Sequence, residues 1–391
     1  MKVISTERLP IKLWLNDIED GALSQTRNLA NLPFAYKHIA IMPDSHQGYG
    51  MPIGGVLATD GYVIPNAVGV DIGCGMCAVK TSLTDISTDY LKEVMGEIRK
   101  AVPVGFNHHK EAQPSEFMPK IEDKMLFQLT NPVCNDQYNA ARKQIGTLGG
   151  GNHFIEIQKG SDGHIWVMVH SGSRNFGLKI AEYYNKKAKE INNRCFSTVD
   201  AKQDLAFLPI DSDVGGNYLS EMQYAVDFAL ANRKLMMERI LECLGSGEEI
   251  ADMGKMINMS HNYARMENHF GKNVMIHRKG ATSAKKGEIG IIPGSQGTHS
   301  YIVEGLGNPE SFESCSHGAG RKMGRGQAQR TLNLEDEQEL LNTQGIIHSV
   351  RTVKDLDEAP SAYKDIDVVM ENQKDLVKVL VELTPLAVIK G

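Results

Sequence analysis

Apolar and polar positions recur along this chain with two periods. Between residues 86 and 101 (ISTDYLKEVMGEIRKA), Leu91, Val94, Met95 and Ile98 fall at helical spacing and share one face, with Ser87 or Thr88 placed to cap the helix. The same period predicts helices over about 177–193 and about 217–244, the latter the longest amphipathic segment, and a helical stretch over 365–376. Short apolar runs punctuated by glycine, at His38–Met42, Gly54–Ala58 and Met76–Lys80, predict strands, as do the runs within 288–304. His153–Gln158 and His164–His170 flank a Gly-Ser-Asp-Gly turn and predict a hairpin. Leu376–Lys390 is apolar and β-branched enough for a buried strand. Residues 103–135 have weak periodicity, several prolines and a His pair, which suits an excursion over the surface.

Helices and strands alternate irregularly, so the pattern predicts an α+β or mixed α/β fold rather than a doubly wound sheet. No repeat of 20 to 50 residues and no Pro- or Ser-rich linker divides the chain, and one domain over residues 1–391 is expected. With 41% hydrophobic and 23% charged residues, a low-complexity or collagen-like chain is excluded. Apolar runs such as Ile165–Val169 fall far short of the roughly 20 residues that cross a bilayer. The first residues lack the apolar stretch of a signal peptide, so a cytoplasmic protein without membrane partners is expected.

Six cysteines (74, 77, 134, 195, 243, 315) are too few and too scattered for a disulfide framework. The formal charge of -6 argues against coating nucleic acid through bulk positive charge, yet leaves room for a local basic groove. Such a groove has a source. The stretch from His277 to Arg330 holds eight Lys or Arg (278, 279, 285, 286, 321, 322, 325, 330) against four Glu (288, 304, 310, 313). Glycine is also in excess, 38 residues, and is concentrated around polar clusters where backbone must approach a ligand closely or take positive φ.

The densest chemistry is Val70-Asp71-Ile72-Gly73-Cys74-Gly75-Met76-Cys77. Cys74 and Cys77 have the spacing of a zinc knuckle or redox pair, but no second pair completes a four-cysteine site. Asp71 and Cys74 can converge on one cation from a Gly-rich turn; a structural turn with a buried thiol fits the string equally. The hairpin changes the balance. A turn centred between Ser161 and Asp162 puts His153 directly opposite His170, with Cβ atoms about 5 Å apart. Two imidazoles so placed, beside Gly149-Gly150-Gly151-Asn152, suit a shared metal site, whereas His164 reads as a surface residue.

His261, in Met259-Ser260-His261-Asn262-Tyr263, is expected between two helices. His317, in Ser314-Cys315-Ser316-His317-Gly318-Ala319-Gly320-Arg321, precedes glycines whose N–H groups, opening a helix at about 320–330, would form an anion site. Arg321 and Arg325 add charge there. Asp71, Cys74, His153, His170 and His261 thus supply O, S and N donors enough for two divalent ions, and their softness points to zinc or iron. A histidine outside that set, beside phosphate-binding glycines, is a candidate nucleophile for phosphoryl or nucleotidyl transfer. Residue chemistry alone therefore gives metal-dependent phosphate chemistry, with the reaction left open.

Longer strings add a resemblance. Met42-Pro43-Asp44-Ser45-His46-Gln47-Gly48-Tyr49-Gly50, Gly69–Gly75, Gly151–Glu156, His170-Ser171-Gly172-Ser173-Arg174, Pro293-Gly294-Ser295, Ser316–Arg321 and Ala362-Tyr363-Lys364-Asp365 resemble, in order, the motifs of the RtcB family of RNA-splicing ligases. The likeness runs from near residue 10 to the terminal Val388-Ile389-Lys390-Gly391. It implies a single domain around a central dinuclear metal cleft. It also implies joining of RNA 2′,3′-cyclic phosphate or 3′-phosphate ends to 5′-hydroxyl ends, with GTP and two Mn²⁺ ions, in RNA repair or tRNA splicing.

By that resemblance His317 takes GMP as a phosphoramidate, Asp44 orients it, and Asp71, Cys74, His153, His170 and His261 hold the ions with Cys74 between them. Nucleotide contacts would fall on Asn152, His153, Phe154, Ile155, Glu156, His261, Asn262, Pro293, Gly294, Ser295, Gln296, Ser300, His317, Gly318, Ala319, Gly320, Tyr363 and Lys390. Arg174 and Arg321 would hold RNA phosphates. Ser260 stands where many members carry a second histidine, and Asn175 replaces a usual glycine. The target RNA, the oligomeric state and the need for an activating protein partner stay open. Two other classes compete: a dinuclear phosphodiesterase that opens cyclic phosphates without ligation, and a non-catalytic RNA-binding subunit.

Overall fold

The computed structural model describes residues 1–245 and 250–391. Two large sheets carry the fold; every strand pair of the second is antiparallel, and in the first only Ile11–Leu13 and Ala35–His46 run parallel. The first sheet runs Lys2–Ile4, Ile11–Leu13, Ala35–His46, Ile53–Thr59, Lys272–Lys279, Asn262–His269. The second runs Ile257–Ser260, Gly75–Lys80, Ile165–Ser171, Phe154–Gly160, Val377–Lys390, Ser300–Gly305, Ile289–Ile292.

The helices form where the apolar spacing puts them. Thr88–Ala101 is capped by Ser87, whose side chain accepts the Tyr90 N–H, and buries Leu91, Val94, Met95 and Ile98. With Met236, Met237 and Ile240 of the 31-residue helix Asp213–Cys243, these side chains cover one face of the second sheet, meeting Ile155, Ile157 and Val167. Each such aliphatic side chain contributes roughly 1.5–3 kcal/mol of burial. Arg174–Arg194 is the other long helix. The stretch expected over 365–376 is helical only over Ile366–Glu371. Residues 103–135 carry more helix than expected, since Lys124–Thr130 and Pro132–Gln144 are both helical. Among the described residues no helix is long and apolar enough to cross a membrane.

Two sequence expectations about register need correction. In the hairpin His170 pairs with Phe154, not His153. The turn is one residue longer than assumed, because Gly160 N–H donates to the His164 carbonyl and Gly163 takes φ +83°, a three-residue loop ending in a left-handed residue. His153 therefore sits just before the strand. Its ring still lies 5.3 Å from that of His170.

His261 lies between strands, not helices. Ile257–Ser260 is an edge strand of the second sheet and Asn262–His269 an edge strand of the first. Only His261 separates these two strands, so its side chain is fixed where the sheets meet.

Candidate active site

That junction gathers the chemistry. The loop before Gly75–Lys80 brings Asp71 and Cys74, the hairpin brings His153 and His170, and the inter-sheet step brings His261, whose backbone N–H donates to the Cys74 carbonyl (2.8 Å). The donor atoms of Cys74, His153 and His170 lie within 4.8 Å of one another, all buried. Cys74 Sγ is 3.4 Å from His153 Nε2 and 3.3 Å from His170 Nε2. Asp71 joins on one side, its Oδ2 3.1 Å from His153 Nε2. His261 joins on the other, its ring 5.2 Å from that of His170.

The tautomers suit a cation. His170 Nδ1 is 3.0 Å from the Asn152 carbonyl, which can only accept, so Nδ1 carries the proton and Nε2 turns a lone pair toward Cys74. Burial and the neighbouring imidazoles push the pKa of His170 and of His261 well below the usual value. Burial, and then the Asp71 charge, push the Cys74 thiol up. Cys74, His153 and His170, flanked by Asp71 and His261, fit a divalent ion by donor type and spacing, and such an ion would supply positive charge among them.

A second cluster, Glu267, His269 and Glu313, differs in kind. Arg278 forks onto Glu267 (2.5 and 3.1 Å), so that carboxylate is already neutralised.

The long helix holds the centre in shape. Arg233, fully buried, donates to the carbonyls of Gly73 (2.9 Å) and Ser171 (2.8 Å), to Asn258 Oδ1 (2.8 Å) and to Ser260 Oγ (3.2 Å). Ser260 in turn donates to the Gly73 carbonyl (3.1 Å), which ties the Asp71–Cys74 loop to the strand before His261. Asn262 bridges the Asp71 carbonyl (3.0 Å) and the Gly280 N–H (2.7 Å).

His317 stands beside this centre, its ring 4.8 Å from that of His261. Its Nδ1 is 2.6 Å from Oδ2 of Asp44, a fully buried carboxylate that also accepts the N–H groups of His317 (3.0 Å) and Gly318 (3.3 Å). Gly320, at φ +73°, must be glycine, since a Cβ there would overlap the Asp44 carbonyl. These bonds correct the expected backbone anion site. The N–H groups of His317 and Gly318 are spent on Asp44, that of Ala319 on the Pro293 carbonyl, and the helix begins only at Arg325. Positive charge beside the loop comes from the side chains of Arg321 and Arg325, both of which pair with Glu358.

A cavity opens from His317 and His170, lined by Asn152, Phe154, Glu156, Pro293–Gln296, Gly318–Gly320, Tyr363 and Lys390. The expected nucleotide contacts divide here by strand alternation. Phe154 and Glu156 face the cavity, while Ile155 points to the opposite, helix-covered face. Ser300 sits behind the wall, accepting from Gly294 N–H (3.1 Å) and Gln158 Nε2 (3.2 Å). Arg174, at φ +60°, reaches back to Thr147 Oγ1 (3.2 Å) and the Gly105 carbonyl (3.2 Å) near Asp71.

The family model described as tRNA-splicing ligase RtcB matches residues 25–391. The chain belongs to the RtcB family. RNA-splicing ligase RtcB of Escherichia coli is 38% identical over 419 aligned positions, covering 100% of this chain and 99% of that protein. tRNA-splicing ligase RtcB of Pyrobaculum aerophilum is 33% identical, covering 98% and 95%. RNA-splicing ligase RtcB homolog 1 of Entamoeba histolytica is 30% identical, covering 95% and 84%.

Three groups in this RtcB-family site are not evident from the sequence. Arg233 lies mid-helix without a motif. His46, within the string at 42–50, lines the cavity beside His317. Glu358, buried, receives Arg321 (3.1 Å), Arg325 (3.2 Å), Lys390 (3.4 Å) and the Tyr363 hydroxyl, joining both ends of the cavity wall. The only local signal for Glu358 is its position four residues before the Ala362–Asp365 string.

Proposed function

We propose that this protein is an RNA ligase that uses GTP and Mn²⁺ to join a 2′,3′-cyclic phosphate or 3′-phosphate end to a 5′-hydroxyl end. Family membership supports RNA ligation. The observation that carries the chemistry is His317, whose Nδ1 is committed to Asp44 so that Nε2 is the nitrogen free to attack.

In the proposed first step His317 Nε2 attacks the α-phosphorus of GTP. The N–P bond forms, the bond from that phosphorus to the bridging oxygen breaks, and pyrophosphate leaves. Asp44 holds the Nδ1 proton and stabilises the positive charge on the ring. GMP then passes to the RNA 3′-phosphate, and the 5′-hydroxyl displaces it to form the phosphodiester; a cyclic phosphate is first hydrolysed to the 3′-phosphate. Asp71, Cys74 and His153 would hold one Mn²⁺, and Cys74, His170 and His261 the other. Ions held there would neutralise the phosphates and polarise the phosphorus under attack.

In the same reading Phe154 and Tyr363 pack on the nucleotide, Glu156 and Lys390 meet its guanine edge, and Arg174 and Arg321 take RNA phosphates. A phosphodiesterase that only opened cyclic phosphates would have no use for this aromatic-walled cavity beside His317. The test is incubation with labelled GTP and Mn²⁺, expected to give a covalent protein–GMP adduct stable to alkali and labile to acid. A folded, metal-loaded sample that takes no label, or a His317→Ala variant that still seals RNA, would overturn the reading.

A further inference from the structure

The string at 42–50 contains one exposed aromatic residue that the chemistry above does not use. Tyr49 is 77% exposed. It is held out by a fixed backbone: the Tyr49 carbonyl accepts from Lys279 Nζ (2.6 Å) and Met51 N–H (2.8 Å). Gln25 brackets the preceding Gly48, donating to its carbonyl (2.6 Å) and accepting its N–H (3.1 Å). An aromatic ring so anchored exposes apolar area without packing against the core, and among the described residues its hydroxyl has no hydrogen-bond partner.

Tyr49 lines a groove of about 650 Å³ together with Arg321, Lys322 and Arg325. The groove shares His46, Arg321 and Arg325 with the cavity at His317, so the two adjoin. Arg321 and Arg325 pair with Glu358, but Lys322 is exposed and, among the described residues, has no carboxylate partner. Glu19 is the single acid lining the groove, and it already accepts the Gln47 N–H. An exposed aromatic ring and cations lining one groove are what a single strand needs, a surface for a base to stack on and charges for the sugar–phosphate chain.

We propose that this groove seats single-stranded RNA whose end is delivered to His317, with Tyr49 as the stacking platform and Lys322 as the phosphate contact. The inference rests on the ligase reading and adds to it the path of one strand. It is tested by fluorescence anisotropy of the full-length protein with two short single-stranded RNAs, one ending in a 3′-phosphate and one beginning with a 5′-hydroxyl.

Tyr49→Ala should weaken at least one probe by about tenfold, and Tyr49→Phe, which keeps the ring, should restore it. The probe affected identifies which end the groove takes. Lys322→Ala should weaken the same probe and lower its salt dependence by about one phosphate contact. Tyr49→Ala binding both probes like the wild type, with an unchanged thermal melt, would overturn the groove while leaving the ligase reading to the GMP-adduct assay. A wild type that takes GMP yet binds neither probe would overturn the groove alone; one that does neither would overturn both.

Discussion

Asp44 and His317, 273 residues apart in sequence, share a 2.6 Å contact from Oδ2 to Nδ1, and this contact decides which imidazole nitrogen faces the cavity. One carboxylate oxygen serves the ring and two backbone N–H groups at once. The tautomer of His317 and the shape of its loop therefore depend on the same atom.

Replacing Asp44 by Asn keeps the size but presents an amide in place of the carboxylate. The expected outcome is slower formation of the GMP adduct by roughly 10²-fold or more, because the charge that stabilises the cationic ring is lost. Single-turnover labelling with GTP measures this. An Asp44→Asn variant labelled at the wild-type rate would mean that Asp44 is only a loop fastener.

Cys74 is the shared neighbour of His153 and His170, so if the proposed pair of ions is bound there its removal should affect both. Elemental analysis of wild-type protein loaded with Mn²⁺ and desalted should give about two ions per chain, and Cys74→Ala fewer than one. His261→Ala, at one flank of the cluster, should retain the ion on the Asp71 side. Equal loss in both variants would contradict a two-part site.

Much of this arrangement is legible in the amino-acid sequence, for reasons that differ by residue. Leu91, Val94, Met95 and Ile98 announce their helix because burial selects one face every 3.6 residues. Asp71, Cys74, His153 and His170 are legible because polar ligand types stand in Gly-rich strings that no core requires. The hairpin register differs by one residue from the expected one, since a three-residue loop and a two-residue loop share the same Gly-Ser-Asp-Gly composition. Glu358 and Arg233 are illegible for a deeper reason. Their partners lie on segments up to 160 residues away, and a charge that serves buried carbonyls or distant cations leaves no periodic trace in its own neighbourhood.

Arg233 offers a test of that hidden layer. Replacing it with Met leaves the carbonyls of Gly73 and Ser171 and the side chains of Asn258 and Ser260 short of a donor in the core. Urea unfolding of the metal-free protein should show a loss of about 1–3 kcal/mol, the cost of leaving buried acceptors without a donor. Metal affinity should fall about 10–100-fold even though no ligand is altered. Unchanged affinity in a folded variant would show that the Asp71–Cys74 loop needs no support from the helix.

Glu156 gives a prediction with a definite sign. Burial raises its pKa to about 8, only partly opposed by Lys390 and by the hydrogen bond from Gln158. The folded state thus binds a proton that the unfolded chain, with an ordinary carboxyl near 4.5, has already released at neutral pH. The stabilisation tied to that proton is complete below about pH 4.5 and is lost as pH rises through about 8. Glu156→Gln mimics the protonated form and keeps an oxygen for Gln158, so it should remove this dependence. In urea unfolding of the nucleotide-free protein from pH 5 to 8, the stability of the variant relative to wild type should rise by about 1.4 kcal/mol for each pH unit over most of that range. Two curves that stay parallel would mean that Glu156 is ionised in the folded protein, its charge met by Lys390 in the cavity wall.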